Sequence, residues 1–91
     1  MSRPRKAADD GPRLVLYGTG QCGHCRQAKR FLRQQGLRFS EFDIQRNRRA
    51  WNEFQRLGGR GVPLILVDGK PLQGFDPKRL LRALRQAGTD V

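Results

Sequence analysis

Cys22 and Cys25 are the only cysteines of the chain, and two residues separate them in "GTGQCGHCRQAKRF" (18–31). Two thiols that close can exchange with a disulfide, hold a metal ion or cluster, or fill space as small apolar side chains. The supply of ligands weighs against a metal. With a single histidine, His24, the chain cannot complete a four-coordinate site from nitrogen and sulfur alone. A cluster shared between two chains and completed by external thiols remains open. His24 cannot join both cysteines on one ion without distortion, so its expected role is to tune the thiol pair or touch a substrate, against plain solvent exposure.

The flanking residues decide among these uses. "RLVLY" (13–17) is a short apolar run bounded by "GTG", which predicts a strand buried on both faces. From Cys25 to Gln35, Ala28, Phe31 and Leu32 recur at helical spacing while Arg26, Arg30 and Arg33 take other faces, and Gly36 stands where a C-terminal cap belongs. A helix starting near Cys22 or Gly23 puts Cys22 at its N-terminus. There the unsatisfied N–H groups and the positive end of the helix dipole favour a thiolate, and Arg26 one turn on adds to this. Cys25 falls one turn inside, more buried and closer to an ordinary thiol. That asymmetry suits a two-step exchange in which Cys22 attacks and Cys25 resolves the mixed disulfide.

The remaining chain supplies the rest of a small core. "LRFSEFDI" (37–44) predicts a second strand, although its apolar residues switch phase between Phe39 and Phe42. Ala50, Phe54 and Leu57 share a helical face, with Trp51 beside them as a further core residue, and the helix ends at Gly58-Gly59. "VPLILVDGKPLQGF" (62–75) holds an apolar strand, an Asp68-Gly69 hairpin turn and a short returning strand. Asp76 can cap a last helix, Pro77 fits its first position, and Leu80, Leu81 and Leu84 form its apolar face before Gly88. The order is βαβαββα. Residues 1–12, with two prolines and mixed charge, read as a disordered basic tail, and 13–91 as one domain.

Nineteen Lys and Arg against eight Asp and Glu give a net charge of +11. Such a surface favours acidic partners, but no nucleic-acid signature accompanies it, so a solvated arginine-rich exterior is the reading and nucleic acid is not the expected partner. No run of 18 apolar residues exists, and "MSRPRKAADDGPR" has no apolar segment behind it. Neither membrane span nor secretory signal is expected, and the protein is placed in the cytoplasm.

"YGTGQCGHCRQAKRFL" (17–32), "GVP" (61–63) and "GFD" (74–76) together resemble the glutaredoxin family over residues 13–87. The resemblance implies an α/β, thioredoxin-like fold: a mixed four-stranded sheet flanked by three helices. It implies that Cys22 is the attacking and Cys25 the resolving thiol of a thiol–disulfide oxidoreductase. It further implies that Val62 precedes a cis-Pro63 whose loop pairs with an extended thiol substrate. Gly74 and Asp76 would then lie beside the same groove, where family members hold the γ-glutamyl end of glutathione. The implied substrates are protein disulfides and glutathionylated proteins. Glutathione is the implied co-substrate or thioredoxin reductase the electron source, with no tightly bound cofactor, and the expected state is a monomer. The rival is a dimer holding an iron–sulfur cluster through Cys22 and glutathione.

The chain departs from glutathione-using members at Thr19, where they commonly carry lysine, at Gly23-His24, where they carry Pro-Tyr, and at "QGFDP" (73–77). The "GFD" ending is more similar to the glutaredoxin-like reductants of ribonucleotide reductase, some of which draw electrons from thioredoxin reductase. Gly23-His24 is a pair typical of protein disulfide isomerase, whose potential of about −180 mV is more oxidising than the roughly −200 to −230 mV of glutaredoxins.

Overall fold

The computed structural model of the protein describes residues 12–89. Apart from Pro12, the expected basic tail lies outside the described residues. Four strands, β1 (Leu14–Gly18), β2 (Ser40–Asp43), β3 (Leu64–Val67) and β4 (Lys70–Gln73), alternate with helices α1 (Gly23–Gln34), α2 (Arg48–Arg56) and α3 (Pro77–Gln86) in the order βαβαββα.

The sheet order is β2-β1-β3-β4, with β1 parallel to β2 and antiparallel to β3, and β3 antiparallel to β4. This mixed, open sheet with three helices is the thioredoxin-like fold. β1 is central, and its side chains alternate between two cores. Leu14 and Leu16 pack with Cys25, Ala28 and Leu32 of α1, Ile65 and Val67 of β3, and Leu80, Ala83 and Leu84 of α3. Tyr17 packs on the opposite face with Ala50 and Phe54 of α2 and with Leu64. α1 and α3 therefore cover one face and α2 the other.

Local chemistry sets the element ends. Asn47 caps α2 by accepting the Ala50 N–H at 3.0 Å, and Asp76 caps α3 ahead of Pro77. At the end of α1, Gly36 takes φ 73°, which lets its N–H reach the Arg33 carbonyl at 2.9 Å and the Leu37 N–H reach Leu32 at 3.0 Å. The same pair of bonds closes α2 and α3. Asp68 and Gly69, at φ 50° and 85°, make the hairpin turn between β3 and β4, as expected for a two-residue loop. Pro71 sits on edge strand β4, where a missing N–H costs no ladder bond on its outer side.

Two expectations change. The second strand is shorter than 37–44, and the phase switch has a physical cause. Leu37 and Phe39 pack toward the α1 and α3 side before the strand begins, whereas Phe42 stacks on Tyr17 at 6.0 Å, on the α2 side. Trp51 is not core. It is 41% exposed and lies against Phe54, ring centroids 5.8 Å apart, because the nine-residue helix α2 sends only Ala50 and Phe54 fully into the sheet.

Candidate active site

Register places the candidate residues together. Tyr17 aligns with Leu64 and Leu64 with Gln73, so the C-terminal end of β1, the N-terminal end of β3 and the C-terminal end of β4 lie at one edge of the sheet. From that edge emerge the loop into α1 with Cys22, the Val62-Pro63 pair, and Gly74 to Asp76. Cys22, Val62 and Phe75 all rest on the core cluster that contains Cys25.

Cys22 is the N-cap of α1, in extended backbone at φ −112° and ψ 110°. Its sulfur is bonded to that of Cys25, with Cα atoms 5.1 Å apart, and also accepts the Cys25 N–H at 3.1 Å. Cys22 is half-buried and Cys25 only 2% exposed. The sequence-based asymmetry of the pair is thus present in the structure: one sulfur at the open end of a helix, its partner sealed beneath. No acidic residue occupies the first turn of α1, so nothing there offsets the positive end of the helix dipole. His24 is exposed on that turn.

The Val62-Pro63 bond is cis, and Pro63 is fully buried at the head of β3. The Pro63 carbonyl accepts the Gly74 N–H at 2.8 Å, tying this loop to the segment that leads into α3. Asp76 accepts the N–H groups of Lys78 and Arg79 at 3.1 and 3.3 Å and is otherwise exposed. Gly74, Asp76 and Arg79 line a narrow cleft with Gln73 and Leu80.

Two positioning residues escaped the sequence reading. A methyl group on Gly18 would stand 2.7 Å from the Cys25 sulfur, so only glycine lets the end of β1 pass beneath the thiol pair. The side-chain amide of Gln73 accepts the Arg60 N–H at 3.1 Å and donates to the Gly61 carbonyl at 2.7 Å, clamping the loop that leads into Pro63. The "GTG" and "QGF" stretches contained both residues, but spacing carried no sign of either role.

Among the described residues no group of three or more His, Cys, Asp or Glu is placed to hold a metal ion. The site's own donors are two thiols, which suits exchange chemistry.

The glutaredoxin family model matches residues 14–72, which includes the cysteine pair, the cis-proline and both sheet halves. The chain belongs to the glutaredoxin family. An uncharacterised glutaredoxin-like 8.6 kDa protein of the Clostridium pasteurianum rubredoxin operon is 27% identical over 64 residues, covering 69% of this chain and 85% of that protein. The glutaredoxin-like protein NrdH of Lactococcus lactis is 25% identical over 69 residues, 76% of this chain and 96% of its own. In fold, the chain superposes on the NrdH-redoxin of Escherichia coli with a TM-score of 0.70 at 24% identity, over 77% of this chain and 92% of the other. With its paired thiols this glutaredoxin is a thiol–disulfide oxidoreductase. No helix among its described residues is long and apolar enough to cross a membrane.

Proposed function

We propose that this glutaredoxin is a cytoplasmic, monomeric reductant of protein disulfides and glutathione mixed disulfides, fed by thioredoxin reductase. The observation that carries the reading is the unequal setting of the two sulfurs, Cys22 at the helix cap and Cys25 2% exposed behind it. In the reduced protein the Cys22 thiolate, favoured by the helix N-terminus, attacks a substrate sulfur and releases the first thiol. Cys25 then attacks Cys22, releases the second thiol and closes the intramolecular disulfide.

The residues around the pair take roles that the family resemblance supports. The backbone of Val62, ahead of cis-Pro63, pairs with the extended substrate, Gly74 and Asp76 flank it, and His24 contacts it from the first turn of α1. The choice of electron donor rests on Thr19 and Gly23-His24, which depart from the glutathione-using pattern, and on the NrdH-like relatives. The solved E. coli protein is described as having a thioredoxin-like activity profile.

Replacing Cys25 by Ser tests the order of attack. Cys25→Ser protein mixed with a disulfide peptide is expected to accumulate a stable adduct at Cys22, seen by intact mass, and Cys22→Ser none. An adduct on Cys25 in the Cys22→Ser protein would reverse the assignment.

A further inference from the structure

The positive charge of this protein is sorted by face. Neither α1 (GHCRQAKRFLRQ) nor α3 (PKRLLRALRQ) contains Asp or Glu, and both cover the same side of the sheet. On α1, Arg26, Lys29, Arg30 and Arg33 recur at i, i+3, i+4 and i+7; on α3, Lys78, Arg82 and Arg85 recur at i, i+4 and i+7. Each set is a stripe about 10 Å long on one side of its helix. Apart from the partly covered Lys29, these cations are exposed. Among the described residues Glu41 pairs with Lys29 at 2.6 Å on this face, and the Asp76 oxygen serves backbone N–H groups.

The α2 side differs. There the arginines of α2, Arg48, Arg49 and Arg56, share their helix with an acid, Glu53, which pairs with Arg56 at 3.4 Å, and Arg46 lies 3.9 Å from Asp43. Among the described residues the two exposed large hydrophobics, Phe42 and Trp51, belong to that side, whereas the aromatics of the basic face, Phe31, Phe39 and Phe75, are half-buried against the core, with Arg33 over the Phe39 ring, and offer less of the exposed platform that single-stranded nucleic acid stacks upon. Both stripes begin at the sheet edge that carries Cys22. Arg26 is one turn from it, and the positive dipole ends of α1 and α3 point to the same edge.

We infer that the α1/α3 face is a docking surface for an acidic, disulfide-bearing protein substrate, and that it steers the substrate's disulfide onto Cys22. This rests on the proposed reductant role. One Cys22–substrate S–S bond forms as the substrate's own breaks. The departing thiolate takes a proton, and closure of Cys22–Cys25 releases the second thiol. Two electrons and two protons pass from the protein's dithiol to the substrate, which is reduced while the protein is oxidised.

Pre-reduced protein is mixed with two disulfide-bonded peptides on one scaffold, flanked by Glu in one and Gln in the other, and the bimolecular rate constants are measured. The triple variant Arg30→Glu/Lys78→Glu/Arg82→Glu is expected to slow the acidic peptide about tenfold at low ionic strength, with the loss shrinking at high salt, and to leave the Gln peptide within about twofold. Arg48→Glu/Arg49→Glu/Arg56→Glu makes the same charge change on the α2 side and is expected to cost the acidic peptide less than about threefold. Equal losses in the two variants, or an acidic peptide no faster than the Gln peptide, would overturn the inference.

If neither peptide is reduced, the reductant role fails, and anisotropy of a labelled, cysteine-free acidic peptide decides the face. Binding lost only in the α1/α3 variant upholds the docking surface; binding absent, or unchanged there, overturns it. A duplex oligonucleotide that binds more tightly than the peptide and is lost in the same variant assigns the face to nucleic acid and overturns it too.

Discussion

At the scale of single residues, the buried sulfur of Cys25 is held in place by what is missing from its neighbour. With a Cβ on Gly18 only 2.7 Å from the Cys25 sulfur and 3.3 Å from its Cβ, Gly18→Ala forces β1 away from α1. Overpacking of this kind costs about 1–3 kcal/mol, so the urea midpoint is expected to fall and the rate of intramolecular closure at Cys25 to drop with it. An unchanged midpoint would show that the strand has room after all. Tyr17, the only tyrosine, is buried, and burial first, then the charge of Glu53, pushes its phenol above the usual value of 10.0. The folded state holds that proton more tightly than the unfolded one. The stabilisation is therefore complete below pH 10 and is lost as pH rises through the folded value. Denaturant melts above pH 10 are expected to weaken more steeply in the native protein than in Tyr17→Phe; parallel slopes would contradict the shift. Cys22, Cys25 and Asp76 were legible because their signals are local in sequence. Gly18 and Gln73 were not, because each acts on a partner that only the folded topology brings near.

At the scale of elements, α3 depends on one side chain for its start. Asp76 caps the helix through the Lys78 and Arg79 N–H groups. Asp76→Ala is expected to cost about 1 kcal/mol of stability, whereas Asp76→Asn, an equally good cap, costs little. If the carboxylate also faces the γ-glutamyl ammonium of a glutathionylated peptide, Asp76→Asn raises KM for that peptide without moving Tm; an unchanged KM would leave capping as its whole role. The helices and the hairpin were readable because caps, glycine ends and the Asp68-Gly69 pair encode them within a few residues. The limits of β2 were not, since Phe39 and Phe42 serve opposite faces of the sheet and no single alternation spans them. Trp51 misled for a related reason: helical periodicity locates the middle of an apolar stripe but not how wide a stripe a nine-residue helix can bury.

At the scale of the whole molecule, the sheet order β2-β1-β3-β4 makes a redox site from three separate loops. Because β1 runs antiparallel to β3 and parallel to β4, the starts of α1 and α3 and the cis-proline share one edge. Element order alone left this arrangement undetermined. The glutaredoxin resemblance supplied it, through motifs spread over most of the domain, and the net charge of +11 acquired meaning only once α1 and α3 were found on the same side. The proposed reductant role is tested most directly by following NADPH oxidation with a disulfide-bonded protein substrate, supplied in parallel with thioredoxin reductase and with glutathione plus glutathione reductase, using Cys22→Ser as the blank. Turnover is expected through thioredoxin reductase, and none in Cys22→Ser. Turnover that survives in Cys22→Ser, or that flows only through glutathione, would contradict it.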